Sequence, residues 1–465
     1  MPRTLQSRRL QFDWKLLPTI VALAWPTMLE QILQTAVQYI DTAMVGSLGT
    51  DATAAVGSTG TVGWLVASTI GSLSVGFLTF IAQAYGAGDK QRASRVSSQA
   101  ALVVLVMGIL MTIVTSSISP FVPKWMQVEE HIQSMASSYF FILFLPMLPR
   151  AASFIFGTVL RAAGDTKTPM KIGLLVNIVN VVLNFFMIFD TRTMHVFGLH
   201  IPMWGCGWGV VGAAIASAIS LTVGGILITI KVYQHPDISF KGQKLRPDWD
   251  ILRPCMKIAL PNALQRFGTS LGFVAFAAMI NSLGGVSTAT HTIANTVESA
   301  FYIPGYGMMT AASTLVGNAL GAGDKQRMRN MAALIIFIEV VLMIFTGGLL
   351  FLFAPQMMSL FSQSDEVIGL GSIVLRMVAL SEPFYGVSII IEGILQGVGE
   401  TKKPFVYNIT GMWGIRIIGT FICTQLLGFG LVSAWACMIS HNLLVFTLYT
   451  ILYVRGKWNP LNAKA

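Results

Sequence analysis

Glu30, Gln34, Gln38 and Asp41 stand at i, i+4, i+8 and i+11, one face of a helix. Only 11% of the 465 residues are charged and 54% are hydrophobic, so this stripe lies in an apolar setting. An ionisable group there is costly and must face a partner or a water-filled space. Asn177, Asn180 and Asn184, at i, i+3 and i+7, form a second one-faced stripe. Brought together, the two stripes set a carboxylate among amide oxygens, an arrangement that holds a proton or a hard cation such as sodium. The plainer alternative is a polar cluster that glues helices. Glu298 and Glu382 also lie deep in apolar runs; they are expected to bind a cationic substrate or to pair with Arg266, Arg376 or Arg416. Glu339 and Glu392 read as structural, paired with arginines on neighbouring helices.

Other motifs promise chemistry and do not deliver it. Gly207-Trp-Gly-Val-Val-Gly212 matches GxGxxG, but no strand-turn-helix unit with a following acid surrounds it. Gly209, Gly212, Ala213, Ala214 and Ala216 read instead as small residues that let membrane helices approach. The segment Gly-Ala-Gly-Asp-Lys lacks phosphate-loop spacing, and no nucleotide motif or catalytic grouping is present, which weighs against an enzyme. Cys206, Cys255, Cys423 and Cys437 have no CxxC pairing, so neither a disulfide framework nor a zinc site is indicated.

The elements that must carry the stripes come from an internal repeat. Gly86-Ala-Gly-Asp-Lys-Gln-Arg92 recurs 235 residues later at Gly321–Arg327. The same shift takes Pro26 to Pro261, Gly49 to Gly284, and Gly164-Asp-Thr-Lys-Thr-Pro169 to Gly399-Glu-Thr-Lys-Lys-Pro404. One unit is used twice. Asp51 to Asp89 encloses 37 uncharged residues, beyond the roughly 20 that cross a bilayer as a helix. The runs predict an all-α membrane protein with twelve transmembrane helices in two parallel six-helix repeats. Expected spans are 16–44, 54–85, 96–119, 132–160, 170–190 and 209–233, then 252–281, 290–320, 331–355, 366–397, 405–427 and 430–454. The N-lobe is 1–233, the linker 234–250 and the C-lobe 251–465. Arg3, Arg8, Arg9 and Lys15 precede the first run without a close cleavage site, so an uncleaved first helix is expected.

The net charge of +10 could have meant nucleic acid, but its placement argues otherwise. Lys and Arg gather at the N-terminus, after even-numbered helices and at the C-terminus. The opposite loops hold only Lys124 and Arg192. Positive charge stays cytoplasmic, so both termini are expected there, in the inner membrane of a bacterial cell. The first half carries 14 extra residues in the outer loop with Arg192, His195 and His200, which reads as surface decoration. The GAGDKQR segments read as cytoplasmic helix ends.

Trp25-Pro26, Tyr39-Ile-Asp-Thr-Ala-Met-Val-Gly46, Gly86-Ala-Gly-Asp89 and Leu160–Pro169 together resemble the multidrug and toxic compound extrusion (MATE) family. The resemblance continues through Gly321–Asp324 and Gly399–Lys402 and covers essentially the whole chain. It implies two six-helix lobes in an outward-opening V, and alternating-access export of organic cations against proton or sodium entry. It involves no cofactor and no nucleic acid, and a monomer in the lipid bilayer is expected. Asp41 matches the family's helix 1 aspartate, which couples cation binding to helix bending at Pro26. Asn180 and Asn184 fall where coupling sites have Asn and Asp, and Ser217 where they have Thr. Glu30 and Gln34 complete the expected coupling set, with sodium at Asp41 and Asn180 as its metal form. Gly157 stands where Asn is frequent, and Asn184 replaces a second carboxylate, so proton coupling is favoured. The family's second-lobe sodium pair does not carry over: its positions hold Thr269 and a residue near Gly386. Tyr39, Phe276, Tyr306 and Met309, with Glu298 and Glu382, are the expected substrate contacts, since rings and Met suit flat cations. A lipid-linked precursor flippase of the same architecture is the alternative.

Overall fold

With no water to satisfy the backbone, a chain this apolar is driven into helices that close their own hydrogen bonds. In the computed structural model, which describes residues 13–196 and 199–462, twelve helical rods follow one another. The first six are α1 (Leu17–Gly46), α2 (Thr50–Gly86), α3 (Lys90–Ile118), α4 in two pieces (Glu130–Phe144, Met147–Ala162), α5 (Lys167–Met187) and α6 (Gly209–Gln234). The second six are α7 (Trp249–Asn281), α8 (Gly285–Gly321), α9 (Lys325–Ser359), α10 in two pieces (Asp365–Ala379, Glu382–Val398), α11 (from Lys402 to Leu426) and α12 (Leu431–Val454). Eight are long and apolar enough to cross a membrane alone, and the two broken rods pass when each is taken as one span.

Three rods depart from the continuous helices expected. The two pieces of α4 meet at 50° and those of α10 at 52°. Pro146 at the first break and Pro383 just after the second lack the N–H that would carry the helix on. α11 alternates α-helical Lys402–Ile409 and Ile418–Phe421 with π-helical Thr410–Ile417 and Ile422–Leu426. The extra outer loop is a β-hairpin, β1 (Asp190–Val196) against β2 (Leu199–Cys206), antiparallel with His195 opposite His200. Arg3, Arg8 and Arg9 lie outside the described residues.

The rods gather into two compact units. One holds residues 1–28, 82–89 and 264–465, the other 29–81 and 90–263; they are called the second-repeat and first-repeat units below. The boundary within α1 falls after Met28 and that within α7 after Ala263, again 235 apart. Pro26 and Pro261 lie two residues before these points, inside helices that run on through them.

In the second-repeat unit the two GAGDKQR segments meet. A Cβ on Gly86 would run into the backbone of Asn318, and one on Gly321 into the backbone of Gln83; positions 83 and 318 are themselves repeat mates. The first glycine of each motif is therefore a helix-crossing residue as well as a helix end. The second, Gly88 or Gly323, turns the chain with φ near +70°. Asp324 then caps α9 by accepting from the Arg327 amide at 2.8 Å. The linker is also tied down. In the first-repeat unit, Gln99 of α3 accepts from the Asp248 amide and donates to the Arg246 carbonyl, both at 2.9 Å. Lys90 pairs with Asp237 beside it at 2.6 Å.

Candidate functional site

Within the first-repeat unit α1, α5 and α6 bring four of the expected residues into one chain of hydrogen bonds. Asn184 Nδ2 donates to Asp41 Oδ1 at 2.6 Å and to Asn180 Oδ1 at 3.1 Å. Asn180 Nδ2 donates onward to Ser217 Oγ at 3.0 Å. Both asparagines are buried, and Asp41 and Ser217 are half-buried. The i, i+4 spacing of Asn180 and Asn184 puts their amides on one face of α5. The small-residue run before Ser217 lets α6 come close: a Cβ on Gly212 would strike the Met187 backbone of α5. Asn184 Oδ1 is buried and unpartnered among the described residues, so the network keeps a free acceptor beside the carboxylate.

The rest of the stripe on α1 goes elsewhere. Glu30, about three turns from Asp41, takes Arg161 Nη1 on both carboxylate oxygens at 3.1 Å, and Arg161 also donates to Thr158 Oγ1 at 3.1 Å. Gln34 and Tyr39 are exposed. One neighbour of Asp41 was not singled out in the sequence. Tyr139 of α4 lies within electrostatic reach of both Asp41 and Arg150. Arg150 stacks on Phe144 at 4.8 Å, with Nε and Nη1 buried and unpartnered. Pro146, at the start of the second piece of α4, was the available signal that this rod is broken.

Tyr39 aside, the expected substrate residues lie in the second-repeat unit, where they differ in exposure. Phe276 is 1% exposed, its ring covered by Arg416 at 4.1 Å. Met309 is 6% exposed, wedged where a Cβ on Gly393 would touch its carbonyl. Tyr306 is half-buried and shares a hydroxyl contact with Tyr385 at 3.0 Å. Glu298 is buried and faces Arg416 electrostatically. Glu382, 1% exposed, and Glu339, fully buried, have no hydrogen-bond partner on either carboxylate oxygen among the described residues. The arginine pairing expected for Glu339 is not found. Glu392 lacks an arginine too, yet is saturated. It accepts from Gln265 at 2.9 Å, Asn408 at 3.1 Å, Tyr449 at 3.3 Å and Gln396 at 3.4 Å.

Known proteins share this arrangement of rods. The MatE family model matches twice, over residues 26–186 and 261–422, with the same 235-residue offset between its two starts. The probable multidrug resistance protein NorM of Thermotoga maritima is 26% identical over 439 residues, covering 94% of this chain and 92% of the relative. The multidrug resistance protein MdtK of Yersinia pseudotuberculosis is 26% identical over 400 residues, covering 85% of each. A crystal structure of MATE in the bent conformation superposes with a TM-score of 0.85 at 22% identity, covering 96% of both chains. The double match spans well over half of the sequence, and the chain is a multi-pass membrane protein that belongs to the MatE family of transporters.

Proposed function

We propose that the chain is a secondary antiporter that exports amphipathic organic cations, drugs among them, in exchange for protons by alternating access. The multidrug names of its relatives support the substrate class. The observation that carries the reading is the unbroken bond path Asp41–Asn184–Asn180–Ser217 across three helices of one unit. Protonating Asp41 removes the charge that orders the Asn184 amide, and the change passes along the path to α5 and α6. Pro26 leaves α1 one backbone hydrogen bond short, which gives the helix a place to bend. The path has a single carboxylate, which favours a proton over sodium, since a hard metal ion asks for more oxygen ligands. Both termini face the cytoplasm of a bacterial cell by the distribution of Lys and Arg, and the working unit is one chain.

Ethidium efflux from proteoliposomes with imposed proton or sodium gradients tests the reading. A proton gradient drives efflux, a sodium gradient does not, and Asp41→Asn falls to the background of empty vesicles. Normal efflux by Asp41→Asn, at equal protein content, sinks the proposed role of Asp41. No efflux by the parent chain, together with rescue of a lipid-carrier defect in cells, points to a flippase instead.

A further inference from the structure

The second-repeat unit buries two carboxyl groups that no hydrogen-bond donor satisfies among the described residues. Glu339 of α9 is fully buried and Glu382, at the start of the second piece of α10, is 1% exposed. All four of their oxygens lack a hydrogen-bond partner among the described residues. The two groups lie on facing helices: Glu339 packs against Gly386, about one turn on from Glu382, and Glu382 packs against Gly347, about two turns on from Glu339. Room for Glu339 is built in. A Cβ on Gly305 of α8 would stand 2.6 Å from its Oε1, and one on Gly386 of α10 would stand 3.3 Å from the same atom and 3.2 Å from Cγ. A Cβ on Gly347 of α9 would sit 3.4 Å from the Glu382 side chain.

The repeat supplies an internal control. Shifted back by 235, Glu298, Glu339 and Glu382 become Gly63, Val104 and Met147. Val104 is 4% exposed and Met147 is fully buried in the first-repeat unit. The same packing position is thus filled by apolar side chains elsewhere in the chain, so the fold does not require carboxylates there.

Two ionised carboxylates buried on facing helices of an apolar bundle need donors or a cation. Around the pair, α8 presents Glu298, Tyr302 and Tyr306, the second piece of α10 presents Tyr385, and α11 presents Arg416. Tyr306 and Tyr385 bond each other. Arg416 covers Phe276 and faces Glu298. Arg376, on the first piece of α10, is exposed and bonds the Phe351 carbonyl. Among the described residues no side chain hydrogen-bonds Glu339 or Glu382, and Arg266 of α7 lies within electrostatic reach of Tyr306. A hard metal ion would want about six oxygens, and the immediate walls are glycine and Met343.

We propose that Glu339 and Glu382 form a proton-binding pair inside the second-repeat unit, a site separate from Asp41. Its place in the transport cycle rests on the antiport reading above; its ability to bind a proton does not. The purified full-length chain in detergent, back-titrated across the neutral range, tests binding without transport. Glu339→Gln combined with Glu382→Gln keeps size and packing and takes up at least one proton fewer per molecule than the parent. Equal uptake by the double variant and the parent overturns the proposal. Sodium that displaces protons from the parent but not from the double variant assigns the pair to a metal cation and overturns it too. Where Gln at both positions prevents folding, either single Gln variant in the same titration serves, with the same two outcomes. In reconstituted vesicles the double variant exports ethidium with fewer protons per substrate. Failure of that last result alone, with the proton deficit intact, leaves the pair standing and tells against its use in antiport.

Discussion

The two repeats put opposite chemistry at the same place. Asp41, Asn180 and Asn184 of the first become Phe276, Ile415 and Gly419 of the second under the 235-residue shift. Beyond the hairpin the shift shortens to 221, as between Gly209 and Gly430, and Ser217 becomes Met438. Where one unit strings a carboxylate, two amides and a hydroxyl together, the other buries Phe276 and Met438 in one apolar cluster. The fold accepts either filling. The polar path is therefore an addition to the scaffold, and the bonds that hold it cannot be explained by the needs of helix packing.

A second comparison lies among the buried acids themselves. In the first-repeat unit Glu30 bonds Arg161, next to Gly157, whose Cβ would sit 3.5 Å from the guanidinium and from Ile228. The mates of these positions are Gln265, Gln396, Glu392 and Tyr449, and they form the saturated knot. The carboxylate has moved from the first helix of one repeat to the fourth of the other, and amide and hydroxyl donors have replaced the guanidinium. Among the described residues Glu392 has four donors, and ten residues away on the same helix Glu382 has none. Donors make a buried carboxylate a structural anion, and their absence leaves it to a proton.

The largest effect that would break this contrast is the loss of Glu392. Glu392→Ala strands the Gln265, Asn408 and Tyr449 donors inside the bundle. It is expected to cost about 3 kcal/mol or more, read as a large drop in the thermal unfolding midpoint of the detergent-solubilised protein. Glu382→Ala has no donors to strand and is expected to move the midpoint far less. Equal drops for the two would mean that the donor count does not separate them.

Much of this was legible in the sequence because membrane helices leave long apolar runs and the repeat fixes their register. Asp41, Asn180 and Asn184 could be read for the same reason, since helical spacing puts one-faced polar residues together, whereas Ser217 entered only through the resemblance to the MATE family. Glu30 followed the same periodicity, but spacing along α1 cannot show that Arg161 of another helix takes its carboxylate. Phe276 and Met309, expected as substrate contacts, are buried in this structure, which position on a helix alone does not reveal because it does not fix side-chain direction. The breaks in α4 and α10 were obscured by runs that stay apolar across Pro146 and Ser381. The pair of Glu339 with Glu382 depends on which side chains miss each other in space, and no sequence pattern records that.

Where the repeats agree, substitutions should agree. Gly86 and Gly321 each lie against the backbone of the other's helix, so Gly86→Val and Gly321→Val force apart the same crossing from its two sides. Each is expected to cost about 1–3 kcal/mol by overpacking, measured as equal drops in unfolding midpoint. A drop at only one of them would show that the reciprocal packing is not shared equally.

The smallest effect separates geometry from charge at the Glu30 pair. Arg161 reaches both oxygens of Glu30 through Nη1 and Thr158 through Nη2, and Thr158 in turn bonds Ser74 at 3.2 Å. A lysine keeps the charge but loses the planar fork that serves two partners at once. The two side chains are 16% and 14% exposed, so solvent reaches the pair and screens part of its energy. Arg161→Lys is therefore expected to cost about 1 kcal/mol, seen as a small midpoint shift with ethidium efflux retained. Loss of efflux with an unchanged midpoint would move Glu30 from the scaffold into the coupling path, where its place on the stripe with Asp41 first put it.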